Sequence, residues 1–126
     1  MTFENPYELQ TAIRNFVDVT RWSAPFAVTL TLKQALKEQA GWVRLTPERA
    51  AQNFRHFMNL LYVKVWGRGG LKFHPPLQCV PVLEGSPDKR YHYHVVIDCP
   101  RPELVSTFPQ LIEECWLRTD WSFDQI

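Results

Sequence analysis

RYHYHVVID, residues 90–98, is the stretch on which the fold turns. Its tyrosines, valines and isoleucine favour an extended strand. Side chains alternate along a strand, so His92 and His94 project to one side while Tyr91, Tyr93, Val95 and Ile97 project to the other. Just upstream, residues 77–84 read as a second strand, joined to the first by EGSPDK, whose Gly85, Ser86, Pro87 and Asp88 supply turn chemistry. Cys79, Pro81 and Leu83 extend the apolar side, which suits packing beneath helices and leaves the histidines on the open face. With the turn over 85–89, Glu84 falls opposite Arg90 and diagonal to His92, so its carboxylate shares the histidine face.

Working outward, PFAVTLTLK (25–33) alternates Phe26, Val28, Leu30 and Leu32 with Ala27, Thr29, Thr31 and Lys33, a strand with one buried and one polar face. Thr46 as cap, Pro47 in the first turn and Glu48 near the positive helix end open a helix to about residue 65. Its apolar stripe is Ala50, Phe54, Phe57, Met58, Leu61 and Val65. GRGG (67–70) ends that helix; it lacks the GK[ST] of a phosphate-binding loop and reads as a turn. A second helical stripe runs through Leu104, Val105, Phe108, Leu111, Ile112, Cys115 and Trp116, with Pro109 kinking it or opening its main part. WSFDQI alternates like the start of a last strand, and Asn5-Pro6 opens a first helix over about 6–20. Without that first helix the order is strand, helix, strand, strand, helix, strand. This is the split βαβ pattern of a ferredoxin-like α+β domain, with an antiparallel sheet and helices packed on one face.

At 126 residues the chain has the size of a single domain, and 45% apolar residues with five glycines exclude a disordered or low-complexity protein. No run reaches membrane-spanning length and MTFENPYELQ has no signal-peptide character, so the expected location is the cytoplasm, without a membrane partner. Cys79, Cys99 and Cys115 lack CxxC spacing and read as packing residues. A net charge of +1 argues against a dedicated duplex-DNA binder, so any nucleic-acid site has to be local. Basic residues gather at Lys64, Arg68 and Lys72 and again at Lys89 and Arg90.

His92, His94 and Glu84 together form a two-imidazole, one-carboxylate set able to hold a divalent cation with positions left for water or a phosphate oxygen. Mg²⁺ or Mn²⁺ suits that set, with Zn²⁺ a further option. An HxH pair alone is more often solvated than metal-bound; the glutamate in register, and the polar face of Thr29, Thr31 and Lys33 beside it, shift that balance. His56 reads as helix surface and His74 as loop.

These residues resemble a known family. HYH (92–94) is similar to the histidine, hydrophobe, histidine motif of the HUH endonucleases, the rolling-circle replication initiators (Rep proteins) of plasmids and of single-stranded DNA phages and viruses. FAVTLTLK resembles their first motif, and Glu84 the acidic ligand on the preceding strand; the likeness spans about 25–118. It implies an HUH-type domain in which Glu84, His92 and His94 hold a metal that polarises a phosphate of single-stranded DNA. Thr29, Thr31, Lys33, Lys89 and Arg90 would grip the strand, and a tyrosine would attack to leave a 5′-phosphotyrosine. In that family the nucleophile lies on a downstream helix, yet no tyrosine follows Tyr93 here. The expectation is therefore a Rep-derived domain ending before its tyrosine helix, binding metal and single-stranded DNA without tyrosine-dependent nicking. Another reading is a phage or mobile-element protein that reuses the fold to grip a host protein, as an anti-CRISPR does, with Trp42, Trp66 and Trp121 as anchors. An RNA-binding ferredoxin-like module lacks support, because no RNP-type aromatic motif is present.

Overall fold

The computed structural model describes residues 2–3, 22–86 and 88–124. The helix expected over 6–20 lies outside them. In chain order the elements are β1 (Thr2–Phe3), β2 (Pro25–Thr31), β3 (Ala35–Glu38), β4 (Gly41–Arg44), α1 (Pro47–Trp66), β5 (Cys79–Ser86), β6 (Lys89–Asp98) and α2 (Phe108–Leu117). Short 3₁₀ turns occupy Gly70–Lys72 and Pro102–Leu104.

The histidine strand, β6, is central. It pairs antiparallel with β2 on one side and with β5 on the other, and β1 extends the sheet past β2, giving the order β1-β2-β6-β5. Strands β2 and β5 therefore run parallel, separated by β6, with α1 in the crossover between them. After α2 the chain returns to the outer edge of β2, where Leu32 bridges Ser122: the Lys33 amide donates to the Trp121 carbonyl and the Phe123 amide to the Thr31 carbonyl. Over the described part of WSFDQI, residues 121–124, a bridge forms in place of the expected strand, since the Trp121 amide is already taken by Asn53 Oδ1. Among the described residues the architecture is α+β, an antiparallel sheet with two helices, and is compatible with a ferredoxin-like arrangement.

Both helices lie on the Tyr93/Val95/Ile97 face. α1 contributes Ala50, Phe54, Phe57, Leu61 and Val65, and α2 contributes Phe108, Ile112, Cys115 and Trp116, to one core with Val28 and Leu30 of β2. Phe57 meets Trp116 edge-on at 5.5 Å, and Phe54 lies against Tyr93 at 4.8 Å, so aromatic contacts link the helices to each other and to the histidine strand. α1 begins where the sequence indicates: Thr46 Oγ1 accepts the Arg49 amide, and Pro47 occupies the first turn, where its missing N–H costs nothing. Pro109 likewise sits in the opening turn of α2 and does not kink a longer helix. Cys99 and Cys115 are core residues, and Cys79 packs against the core.

Two features differ from the sequence reading. Residues 35–44 form a hairpin, β3–β4, whose Leu36 and Val43 pack against the core. The β5–β6 register also differs by one pair: Ser86 pairs with Lys89 across a tighter turn, a bulge falls at Gly85, and Glu84 stands directly opposite His92 instead of Arg90. Gly85 makes this register possible. Its φ is +132°, and a Cβ there would come within 2.8 Å of the Tyr91 Cα and 2.9 Å of the Arg90 carbonyl oxygen.

Candidate metal centre

Alternation along β6 puts His92 and His94 on the face away from α1 and α2, and pairing brings three neighbours to them. Thr31 lies opposite His92 and Thr29 opposite His94 on β2; Glu84 lies opposite His92 on β5. The glutamate reaches diagonally, so that Oε2 stands 3.0 Å from His94 Nε2. The two imidazoles meet edge to face with centroids 4.9 Å apart. One donor atom from each of Glu84, His92 and His94 falls within a 4.8 Å spread, and the three form a cluster able to hold a metal ion. A cation with bonds near 2.1 Å keeps its donors up to about 4.2 Å apart. The Glu84 carboxylate, 3.0 Å from His94 Nε2, is mostly exposed and free to adjust.

The hydrogen bonds around the rings favour this use. His92 Nδ1 lies 3.2 Å from the Arg90 carbonyl oxygen, which can only accept, so this contact selects the tautomer that donates from Nδ1 and leaves Nε2 as the nitrogen open to a cation. His94 Nδ1 lies 3.3 Å from Thr29 Oγ1, a hydroxyl that can accept from Nδ1–H when Nε2 binds a cation. Each imidazole thus has a second partner that fixes its orientation. A metal-bound histidine commonly has the same arrangement.

The other residues singled out in the sequence fall in different places. Thr31 is 5% exposed, its side chain nearly covered. Lys33 and Arg90 line a depression next to the cluster, and Lys89 is exposed at the start of β6. The Arg90 guanidinium donates to the Leu32 carbonyl and lies 4.0 Å over the Phe123 ring. Asp98, at the far end of the histidine strand, accepts the Ser23 and Ala24 amides and ties down the entry to β2. His56 is exposed on α1, whereas His74 stacks on Trp66 with centroids 3.7 Å apart. Of the suggested tryptophan anchors, Trp42 is 72% exposed, Trp66 is half-buried and Trp121 is a core residue, 8% exposed. Sequence reasoning missed the part of the hairpin, in particular Lys37 beside Trp42, because β3 and β4 are too short to show alternation. Compared with known proteins, the chain matches no family model, no curated protein and no solved structure.

Proposed function

We propose that this chain binds a divalent cation, Mg²⁺ or Mn²⁺, through Glu84, His92 and His94, and binds single-stranded DNA against that ion, as an HUH-type domain related to rolling-circle replication initiators. The convergence of those three donors on the sheet face opposite the helices carries the reading. When bound, the ion would supply a Lewis acid for a phosphate oxygen. The chain's own part is to orient the donors: the Arg90 carbonyl holds His92, Thr29 holds His94, and Glu84 closes the third side. Lys33, Lys89 and Arg90 are the cations placed to meet the strand's phosphates.

The function is gripping DNA, and no nicking is assigned to the tyrosines described. Tyr93 points into the core, where burial raises its hydroxyl above the usual phenol range, and Tyr91 packs on the same side. Tyr62 is buried on α1 and donates to the His74 carbonyl. Tyr7 lies outside the described residues.

The test is calorimetry with Mn²⁺ together with anisotropy of a labelled single-stranded oligonucleotide. Binding of Mn²⁺ is expected to vanish in His92→Ala, and oligonucleotide affinity to fall as salt rises. Undiminished Mn²⁺ binding in both His92→Ala and Glu84→Ala would remove the basis of the proposal. A second reading, a phage or mobile-element protein that grips a host protein, is favoured by the exposed rings of Trp42 and Phe73. It requires a protein partner whose affinity is unchanged by His92→Ala.

A further inference from the structure

Beside the metal centre, where β2 ends and β6 begins, the β3–β4 hairpin borders an open depression of about 480 Å³, within the range of small-ligand clefts. Lys33, Lys37 and Arg90 line it, together with Trp42 and Phe123, and no acidic side chain among the described residues does. Three positive charges in one depression stand out in a chain whose net charge is only +1. A polyanion is the matching ligand.

The aromatic component narrows the ligand further. Trp42 stands on β4, whose neighbouring residue Val43 turns with Leu36 toward the core, leaving the indole 72% exposed. Its cross-strand partner is Lys37, so a cation and a large flat ring stand side by side on the same face of the hairpin. Arg90 is already held in place by the Leu32 carbonyl and the Phe123 ring, and little side-chain freedom remains for a ligand to freeze out. An exposed indole flanked by cations, of which Arg90 is held in place, suits a nucleotide with a free base face, because stacking is available only to an unpaired base. Arg90 and Lys33 also connect the depression to the metal centre. By alternation Arg90 shares a face with His92, and Lys33 lies two residues beyond Thr31, the partner of His92. That offset is ~7 Å along an extended chain, or about two stacked nucleotides.

We infer that this depression is a nucleotide subsite, in which Trp42 stacks on a base of the single-stranded DNA that leaves the metal centre while Lys33, Lys37 and Arg90 hold the flanking phosphates. The inference rests on the single-stranded DNA reading above and adds to it the surface over which the strand leaves the ion.

The test measures anisotropy of a fluorescent oligo-dT 15-mer at several salt concentrations, with EDTA and with Mn²⁺, alongside Mn²⁺ calorimetry. Trp42→Ala is expected to weaken oligo-dT binding between about 5-fold and about 100-fold, and Trp42→Phe to restore most of it, since one stacked base is lost and then regained. Lys37→Ala should lower the salt slope by about 0.7, the signature of one lost phosphate contact on a single strand. All three variants should bind Mn²⁺ like the parent. A duplex of the same length should compete poorly. Oligo-dT affinity equal to the parent in Trp42→Ala, or equal competition by duplex, overturns the subsite and leaves the metal centre standing. Loss of Mn²⁺ binding in His92→Ala with oligo-dT binding kept in EDTA supports a subsite that works apart from the ion. No oligo-dT binding by the parent at low salt overturns the subsite and the DNA reading together, while Mn²⁺ calorimetry still reports on the cation site.

Discussion

His94 is held between Glu84 Oε2 at 3.0 Å and Thr29 Oγ1 at 3.3 Å, each reaching a different ring nitrogen. The carboxylate competes for the nitrogen a cation would use, whereas the hydroxyl serves the other one. Removing the hydroxyl should therefore loosen the ring without removing a donor. Thr29→Val keeps the branched shape and replaces the hydroxyl with a methyl group; Mn²⁺ affinity is expected to fall roughly 10-fold or more, the usual cost of losing a partner behind a metal-bound histidine. Calorimetry measures the affinity, and an unchanged thermal midpoint shows that the strand is intact. The sequence shows that Thr29 shares a polar face with Thr31 and Lys33. Its part in orienting an imidazole depends on the β2–β6 pairing, which places it opposite His94.

Among the elements, the β5–β6 hairpin determines whether the three donors meet. A one-residue slip would carry Glu84 to the other face of β5, so the candidate metal centre depends on the bulge at Gly85 as much as on its own side chains. Gly85→Ala introduces a Cβ against the Tyr91 Cα and the Arg90 carbonyl oxygen at a positive φ. It should cost more than about 1 kcal/mol of stability. It should also weaken Mn²⁺ binding, although residue 85 offers no donor. Urea unfolding and calorimetry on the same variant check both. This hairpin was largely legible from alternation and turn residues; the exact partner of Glu84 was not, because EGSPDK accommodates turns of different length and only the glycine's conformation selects one. The β3–β4 hairpin was not legible at all. Its strands are four residues each and its turn, Gln39-Ala40, lacks the Asn-Gly or Asp-Gly signature, so its stability comes from Leu36 and Val43 docking on a core that no local window contains.

Across the whole molecule, a buried polar network joins α1, the segment after α2 and the outer edge of β2. Asn53 donates to Thr119 Oγ1 and accepts the Trp121 amide, Thr119 donates to the Trp116 carbonyl, and the Trp116 indole donates to the Thr31 carbonyl, all at 2.6–3.2 Å. These bonds hold the segment that bridges Leu32 and sets Phe123 beneath Arg90. Asn53 shows nothing of this in the sequence, where it is one polar residue in an otherwise apolar stripe. Its role follows from burial, since a half-satisfied network in the core is costlier than none. Asn53→Ala leaves the Trp121 amide without its acceptor and should cost about 1–3 kcal/mol, read from the shift in urea midpoint. Its effects on the two sites should separate. The metal donors lie on β5 and β6, which pair directly, so Mn²⁺ affinity under folding conditions should match the parent. Arg90 loses the firm support of Phe123, so single-stranded oligonucleotide affinity should drop, and do so most at low salt, where that guanidinium contributes most. Parallel loss of both affinities would instead mean that the tail, through Leu32 and Thr31, also sets the geometry of the histidine pair.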